Sequence, residues 1–359
     1  MPPSLPDVLK VLVFQGGTLA VAAIEAVAPG RLDVVDVSGC FLTELASEWP
    51  GWANRSSRDQ IGMLSVEDCE ALLQQAHLML LGVPFPKTLP TRAPKLLWAH
   101  FGFAGVSNLM GSDWWGLDGP IITSSRGATS ALPIAETTVA AALMFAKHLN
   151  RAVTETEAHE YGRYAEFAGM TLVAGKTMGI VGLGGIGSHV ARLSRALGMR
   201  VVATRRSADT RRRDVDGVDE LFPAEQLNEM LAEADFVAIC AMWTPETEGM
   251  IDAKAFAAMK SGAILLNVAR GEIVDEGSLV EALRSGHLSG AFLDVWHQQL
   301  EGASPIPALQ AAPNVVFMPH VSGLSDGSHA YSLDLFLKNL RRLLVGEPLE
   351  NTVDWSRGY

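Results

Sequence analysis

The feature that most constrains this chain is GLGGIG at residues 182–187. The apolar run TMGIV precedes it and the helical pattern SHVARLSRALG follows it, which places the glycines at a strand-to-helix turn. At such a turn Gly182 permits the tight bend, Gly184 lets backbone approach a pyrophosphate, and Gly187 lets helix and strand pack closely. Gly185 and Ile186 complete the loop. The amides and dipole of the helix N-terminus then favour phosphate. The expected unit is a βαβ element that binds a dinucleotide.

The rest of the sequence fits that unit. Short apolar runs at 11–14, 78–83, 96–101 and 120–125 read as strands of one domain. Runs at 177–184, 199–204, 235–240, 262–268, 291–295 and 315–319 read as strands of a second. Near-continuous apolar strands imply parallel sheets covered on both faces. Alternation with helical stretches makes the fold class α/β, with two Rossmann-like doubly wound domains. Long helices are expected over 132–153 and 328–348. The expected division is 1–127 plus 322–359, with 128–321 inserted and a cofactor cleft between the two.

The end of the second Rossmann strand reads MRVVATRRSADT. An acidic residue there accepts from the adenosine ribose hydroxyls. This chain has Arg205, followed by Arg206 and preceded by Thr204. A carboxylate would repel a 2′-phosphate, whereas a guanidinium grips it. NADP(H) is therefore the preferred cofactor, with NAD(H) the second candidate. Arg211, Arg212 and Arg213 read as solvated surface.

Bulk properties narrow the partners. A formal charge of −12 argues against a coat for nucleic acid or for an anionic membrane. The three cysteines, Cys40, Cys69 and Cys240, form no CxxC pair and read as reduced, buried residues of a cytoplasmic protein. The N-terminus lacks the basic segment of a signal peptide, and the apolar runs are too short to span a bilayer.

Several segments together resemble the D-isomer-specific 2-hydroxyacid dehydrogenases. They are GKTMGIVGLGGIGSHVARLSRALGMRVVATRRS, TPETEGMI, MKSGAILLNVARGEIVDEGSLVEALRSGHLSGAFLDVW and MPHVSG. The likeness is specific over about 170–325 and weaker at LPIAE, FGFAGVSN and the C-terminal tail. It implies a homodimer acting on a small 2-keto or 2-hydroxy acid. It assigns Arg270 to the substrate carboxylate and carbonyl, His320 to acid–base work, and Asp294 to the nicotinamide carboxamide. Backbone amides of Phe103, Ala104 and Gly105 would hold the far side of the carboxylate. Cys240, Ala269 and Gly323 join the cofactor candidates. The chemistry agrees. A 2-keto acid presents carboxylate and carbonyl in one plane, which suits a bidentate guanidinium. The alkoxide made by hydride transfer needs a proton donor, and histidine titrates near neutrality.

One residue departs from the family pattern. The carboxylate expected to partner His320 falls at Gln299. A glutamine orients an imidazole but supplies no charge, so His320 is expected to titrate low. Glu301 or His297 are the alternative partners. Two other readings follow from the same departure. In one, the chain resembles the formate dehydrogenases, whose hydride transfer needs no proton relay. In the other, it is a dinucleotide-sensing binding protein without catalysis. For the substrate pocket, 82–87, 98–105 and 112–119 are candidates, with Trp114 and Trp115 read as packed or interface residues.

Overall fold

The computed structural model describes residues 5–15, 17–49, 64–127, 130–157, 169–326 and 328–355. It divides into two compact units. Met1–Ser130, Leu300–Gly302 and Ser325–Tyr359 form the first; Ala131–Gln299 and Ala303–Leu324 form the second.

The first unit opens with β1 (Leu9–Val13), α1 (Gly17–Glu25), β2 (Leu32–Asp36), α2 (Leu42–Glu48) and α3 (Val66–Leu73). It continues through β3 (Leu78–Leu81), α4 (Leu89–Arg92), β4 (Trp98–Phe101) and β5 (Ile121–Ser124). The strands make one parallel sheet in the order β2-β1-β3-β4-β5. LMLL of β3 and WAHF of β4 are buried throughout, as expected for strands covered on both faces. The sequence reading passed over β2, because Asp33 and Asp36 interrupt its apolar run. An edge strand tolerates such charges. Trp114 is fully buried with its ring edge-on to Phe101, whereas Trp115 is exposed and meets Trp355.

The expectation of reduced cysteines fails at two of the three. Cys40 and Cys69 form a disulfide with their Cα atoms 6.0 Å apart. They are 29 residues apart in sequence, but both belong to one apolar cluster with Trp49, Phe85 and Leu73. Tertiary packing, which spacing does not reveal, brings them together. Cys240 alone is free among the described residues. The support that three reduced thiols lent to a cytoplasmic location goes with this correction. No helix among the described residues is long and apolar enough to cross a membrane.

The second unit begins with α5 (Ala131–Ala146) and α6 (Leu149–Glu157). The long helix expected there is two, since His148 adopts φ 51° between them. Next come β6 (Thr177–Val181), α7 (Gly185–Ala196), β7 (Arg200–Arg205), β8 (Arg212–Val215), β9 (Val218–Pro223) and α8 (Leu227–Leu231). After these come β10 (Phe236–Ile239), α9 (Ala253–Ala258), β11 (Ala263–Asn267), α10 (Glu276–Arg284), β12 (Leu288–Leu293), α11 (Pro307–Gln310) and β13 (Val315–Phe317). The sheet runs β13-β12-β11-β10-β6-β7-β9-β8 and is parallel except for the β8–β9 hairpin. Asp216 and Gly217 turn that hairpin at φ 53° and 80°, the left-handed pair that a two-residue hairpin favours.

The hairpin changes the reading of the arginines. Glu220 on β9 is 4% exposed. It accepts from Arg211 Nε at 2.6 Å and Arg200 Nη2 at 2.9 Å, with Arg213 Nε at 3.4 Å. The hydrogen bond from Arg211 leads in holding the Glu220 carboxyl below its usual range. Arg211 also lies over the Phe222 ring. Arg211, Arg212 and Arg213 are all exposed, as expected of a solvated surface, but Arg211 and Arg213 also pair with a buried acid. The chain returns to the first unit as α12 (Ser328–Leu344), whose Phe336 stacks on Trp98.

Candidate active site in the second unit

The turn from β6 to α7 is built on close approach. Gly182 holds φ 97°, and a Cβ there would stand 2.7 Å from the backbone of Ala241. A Cβ on Gly187 would stand 2.4 Å from the Gly182 carbonyl oxygen. Gly184 differs: an added Cβ would meet nothing within 4 Å. The protein itself does not need that glycine, so the bare backbone there faces open space. Gly184 caps α7 without any side-chain bond, which leaves the first helical amides of Gly185, Ile186 and Gly187 uncapped by a side chain. These are the features a pyrophosphate requires, and the residues fit the group. The Thr204 carbonyl pins the loop by accepting from Gly182 and Leu183. Cys240, at the end of β10, donates its backbone N–H to Val181, and burial pushes its thiol up to about 12. It stays protonated and is no nucleophile.

Arg205 ends β7 with its Nη2 2.7 Å from Asp216 Oδ2. Arg206 and Ser207 are exposed beside it.

At the far strand ends the organising group is Asp294, fully buried at the end of β12. Its Oδ1 accepts from Val321 N at 3.0 Å and Ser322 N at 3.3 Å, and Oδ2 accepts from the Ser322 hydroxyl. Burial raises this carboxyl above its ordinary value against the pull of those bonds. The Asp294 carbonyl accepts from His320 N at 2.9 Å and from Gln299 Nε2 at 3.3 Å. One backbone oxygen therefore joins the histidine to the glutamine. His320 sits at φ 57°. Burial, aided by the charge of Arg270, pushes its imidazole down to about 3. Gln299 is 7% exposed, and its Oε1 is buried with no hydrogen-bond partner. His297 and Glu301 are exposed, and His297 spends its backbone N–H on Glu276.

Arg270 follows β11 on a turn held by Asn267, whose side chain donates to the Arg270 carbonyl and accepts from Ala269 N. A Cβ on Gly271 would lie 1.9 Å from the Trp296 carbonyl carbon, so only glycine lets the arginine's turn meet the loop after β12. Trp296 is fixed in turn by its Nε1, which donates to Ala303. Burial lowers the Arg270 pKa, and Glu272 and Asp294 oppose that. Ala269 is buried beneath this turn, and Gly323 directly follows Ser322.

In the first unit, Phe103, Ala104 and Gly105 form the loop after β4. Their N–H groups donate to nothing among the described residues. Three consecutive unspent amides suit a small anion. Two polar features of this unit escaped the sequence reading: Gln15 after β1, and a buried chain through His100. Of the other histidines, His77 accepts from Lys10 N and His287 meets the Phe256 carbonyl; His159 lies outside the described residues.

Known proteins resemble this chain in sequence and fold. The family profile for the NAD binding domain of D-isomer specific 2-hydroxyacid dehydrogenases matches residues 139–322. A D-3-phosphoglycerate dehydrogenase of Methanocaldococcus jannaschii is 30% identical over 65% of this chain and 43% of its own length. A glyoxylate reductase of Thermococcus kodakarensis is 37% identical over 49% of this chain and 50% of its own length. The chain thus spans about half the length of these curated relatives. Among solved structures, an NADPH-dependent glyoxylate/hydroxypyruvate reductase of Sinorhizobium meliloti, in complex with NADP and sulfate, matches with a TM-score of 0.73. It is 26% identical and covers 98% of this chain and 100% of its own.

Proposed function

The chain belongs to the D-isomer-specific 2-hydroxyacid dehydrogenase family, and from that premise we propose that it transfers hydride between NADP(H) and a small 2-keto or 2-hydroxy acid. The observation that carries this reading is the Asp294 carbonyl, which gathers His320 and Gln299 within electrostatic reach of Arg270. The nicotinamide, when bound, supplies or takes up the hydride. Arg270 binds the carboxylate and the ketone oxygen in one plane. Within the first unit, the amides of Phe103, Ala104 and Gly105, unspent among the described residues, are the family resemblance's candidates for the carboxylate. As the ketone becomes an alkoxide, His320 delivers the proton to that oxygen; in the reverse direction it removes it. Gln299 Oε1, buried and unpartnered in the structure, is the acceptor we assign to one ring nitrogen of His320 in the reacting complex, which leaves the other for substrate. A homodimer is part of this reading, supported by the exposed apolar face of α6, where Leu149 and Val153 stand open.

NADP(H) preference rests on Arg205 and Arg206. A 2′-phosphate would compete with Asp216 for Arg205 and bind more strongly through its charge. The test follows NADPH and NADH consumption against glyoxylate, hydroxypyruvate, pyruvate and phenylpyruvate, with NADP⁺ plus formate as the control. Selective use of NADPH with a keto acid supports the proposal. Turnover of formate alone, or tight NADPH binding without turnover, rejects it. Arg205→Ser is expected to cut the NADPH/NADH preference by about ten- to hundredfold, the worth of a hydrogen bond to a charged group. An unchanged ratio removes Arg205 from the phosphate site.

Gln299→Glu tests the proton partner. With glutamine, His320 is neutral at pH 7, because its pKa is pushed down to about 3. Reduction needs the imidazolium, so its rate should rise as pH falls. A carboxylate beside the ring favours the charged form, and the falling limb should move up by about 1–3 pH units. A limb that stays in place means residue 299 does not touch the ring.

A further inference from the structure

The first unit's sheet reverses its winding between β1 and β3. In doubly wound sheets the crevice at such a reversal, outside the carboxyl ends of the strands, is where ligands bind. Gln15 stands at that point, two residues past β1. A Cβ on Gly82, just past β3, would lie 1.8 Å from Gln15 Oε1. A Cβ on Gly102, just past β4, would lie 3.3 Å from the same atom. Neither glycine holds a positive φ, so the backbone does not demand them. Their missing side chains make the space that the carboxamide fills. Yet Gln15 is half-buried and its carboxamide makes no hydrogen bond among the described residues. A donor and an acceptor are thus held at two strand ends and left unspent.

The surroundings are polar and neutral. A Cβ on Gly102 would also lie 2.9 Å from Ser332 Oγ. Ser332 meets Ser125 Oγ at 3.2 Å, Ser125 meets His100 Nε2 at 3.1 Å, and His100 Nδ1 meets Thr123 Oγ1 at 2.8 Å. Trp98 Nε1 begins the chain by donating to Thr123 at 2.8 Å. An indole N–H only donates, so Thr123 Oγ1 accepts there, and its own O–H remains free to donate to Nδ1 while Nε2–H donates to Ser125. Burial keeps His100 neutral, its pKa pushed down to about 3. Such a wall suits a hydroxyl better than an anion.

We propose that Gln15 is a specificity-determining residue that hydrogen-bonds a hydroxyl on C3 of the substrate, selecting 3-hydroxy-2-keto acids over their alkyl counterparts. This inference rests on the 2-keto acid reading above. Gly102 directly precedes the three amides assigned to the carboxylate, and in a 2-keto acid the C3 substituent lies three bonds from the carboxylate carbon. A carboxamide can donate to a hydroxyl or accept from it. A methyl in the same place can do neither, and that asymmetry is what rejects an analogue.

The test compares kcat/KM for hydroxypyruvate and 2-ketobutyrate, which differ only by hydroxyl against methyl. The native protein should favour hydroxypyruvate, and Gln15→Leu should lower that ratio by about 10–100-fold. Gly82→Ala, whose methyl displaces the flexible carboxamide, should move the ratio the same way without altering Gln15. Equal losses on both substrates in both variants overturn the proposal and leave Gln15 a packing residue. Glyoxylate, which has no C3, separates the two levels. If the native protein reduces glyoxylate but the variants leave the ratio unmoved, only the Gln15 assignment fails. If it reduces no keto acid, the functional reading fails and this one with it.

Discussion

His320→Asn is expected to lower kcat for keto acid reduction by about 10²–10⁴-fold, the usual worth of a positioned acid or base. Asparagine is the informative replacement because His320 occupies φ 57°. Asparagine tolerates that left-handed region better than most side chains. Its backbone N–H can still bond the Asp294 carbonyl, as His320 does at 2.9 Å. The turn that presents residues 320–322 should therefore survive, and NADPH binding, read by quenching of tryptophan fluorescence, should be unchanged. A loss of kcat with intact binding assigns the proton to His320. A loss below tenfold would mean that no proton relay passes through it, as expected of formate-like hydride transfer. Loss of NADPH binding together with kcat would instead point to a collapsed turn.

The elements that were legible in the sequence are those whose residues answer a local demand. GLGGIG was readable because each glycine meets a backbone requirement that spacing alone expresses. The placement of Arg270 and His320 just past apolar strands was readable, because a parallel sheet presents its ligands there; their roles rest on the family resemblance. What was missed depends on strand order and tertiary contact. The β8–β9 hairpin carries a local signal, Asp216–Gly217, but its strand RRDV is too polar to read as one. The consequence reaches the proposed 2′-phosphate site, because that hairpin supplies the Asp216 that pairs with Arg205. The Cys40–Cys69 pairing was hidden by an odd cysteine count and a separation of 29 residues. Gln15 and His100 look ordinary in sequence. Only the order β2-β1-β3-β4-β5 brings Gln15 against Gly82 and Gly102.

Arg270→Gln should reduce kcat/KM for every 2-keto acid by about 10²–10³-fold, from the roughly 3–4 kcal/mol lost when one partner of a buried charge pair is truncated. The arginine is set for this task by its surroundings. Asn267 clasps its turn at both the carbonyl of residue 270 and the amide of residue 269, and Gly271 lets that turn close against Trp296. Glutamine keeps a polar side chain of moderate length on the same backbone, at φ −143°, which any residue adopts. The loss is then one of charge and of paired donors. Arg270→Lys separates these two. It keeps the charge but not the planar fork, so it should recover only part of the loss. Full activity in the lysine variant would show that a point charge suffices and that the bidentate geometry is wrong. A second consequence has the opposite sign. The Arg270 charge adds to burial in pushing His320 down, so neutralising residue 270 should raise the pKa of the imidazole. The falling limb of the pH–rate profile should therefore move to higher pH in Arg270→Gln, even as the rate itself drops, and stay near its native place in Arg270→Lys. A common drop in rate with no movement of either limb would place the guanidinium too far from His320 for the two to share a substrate.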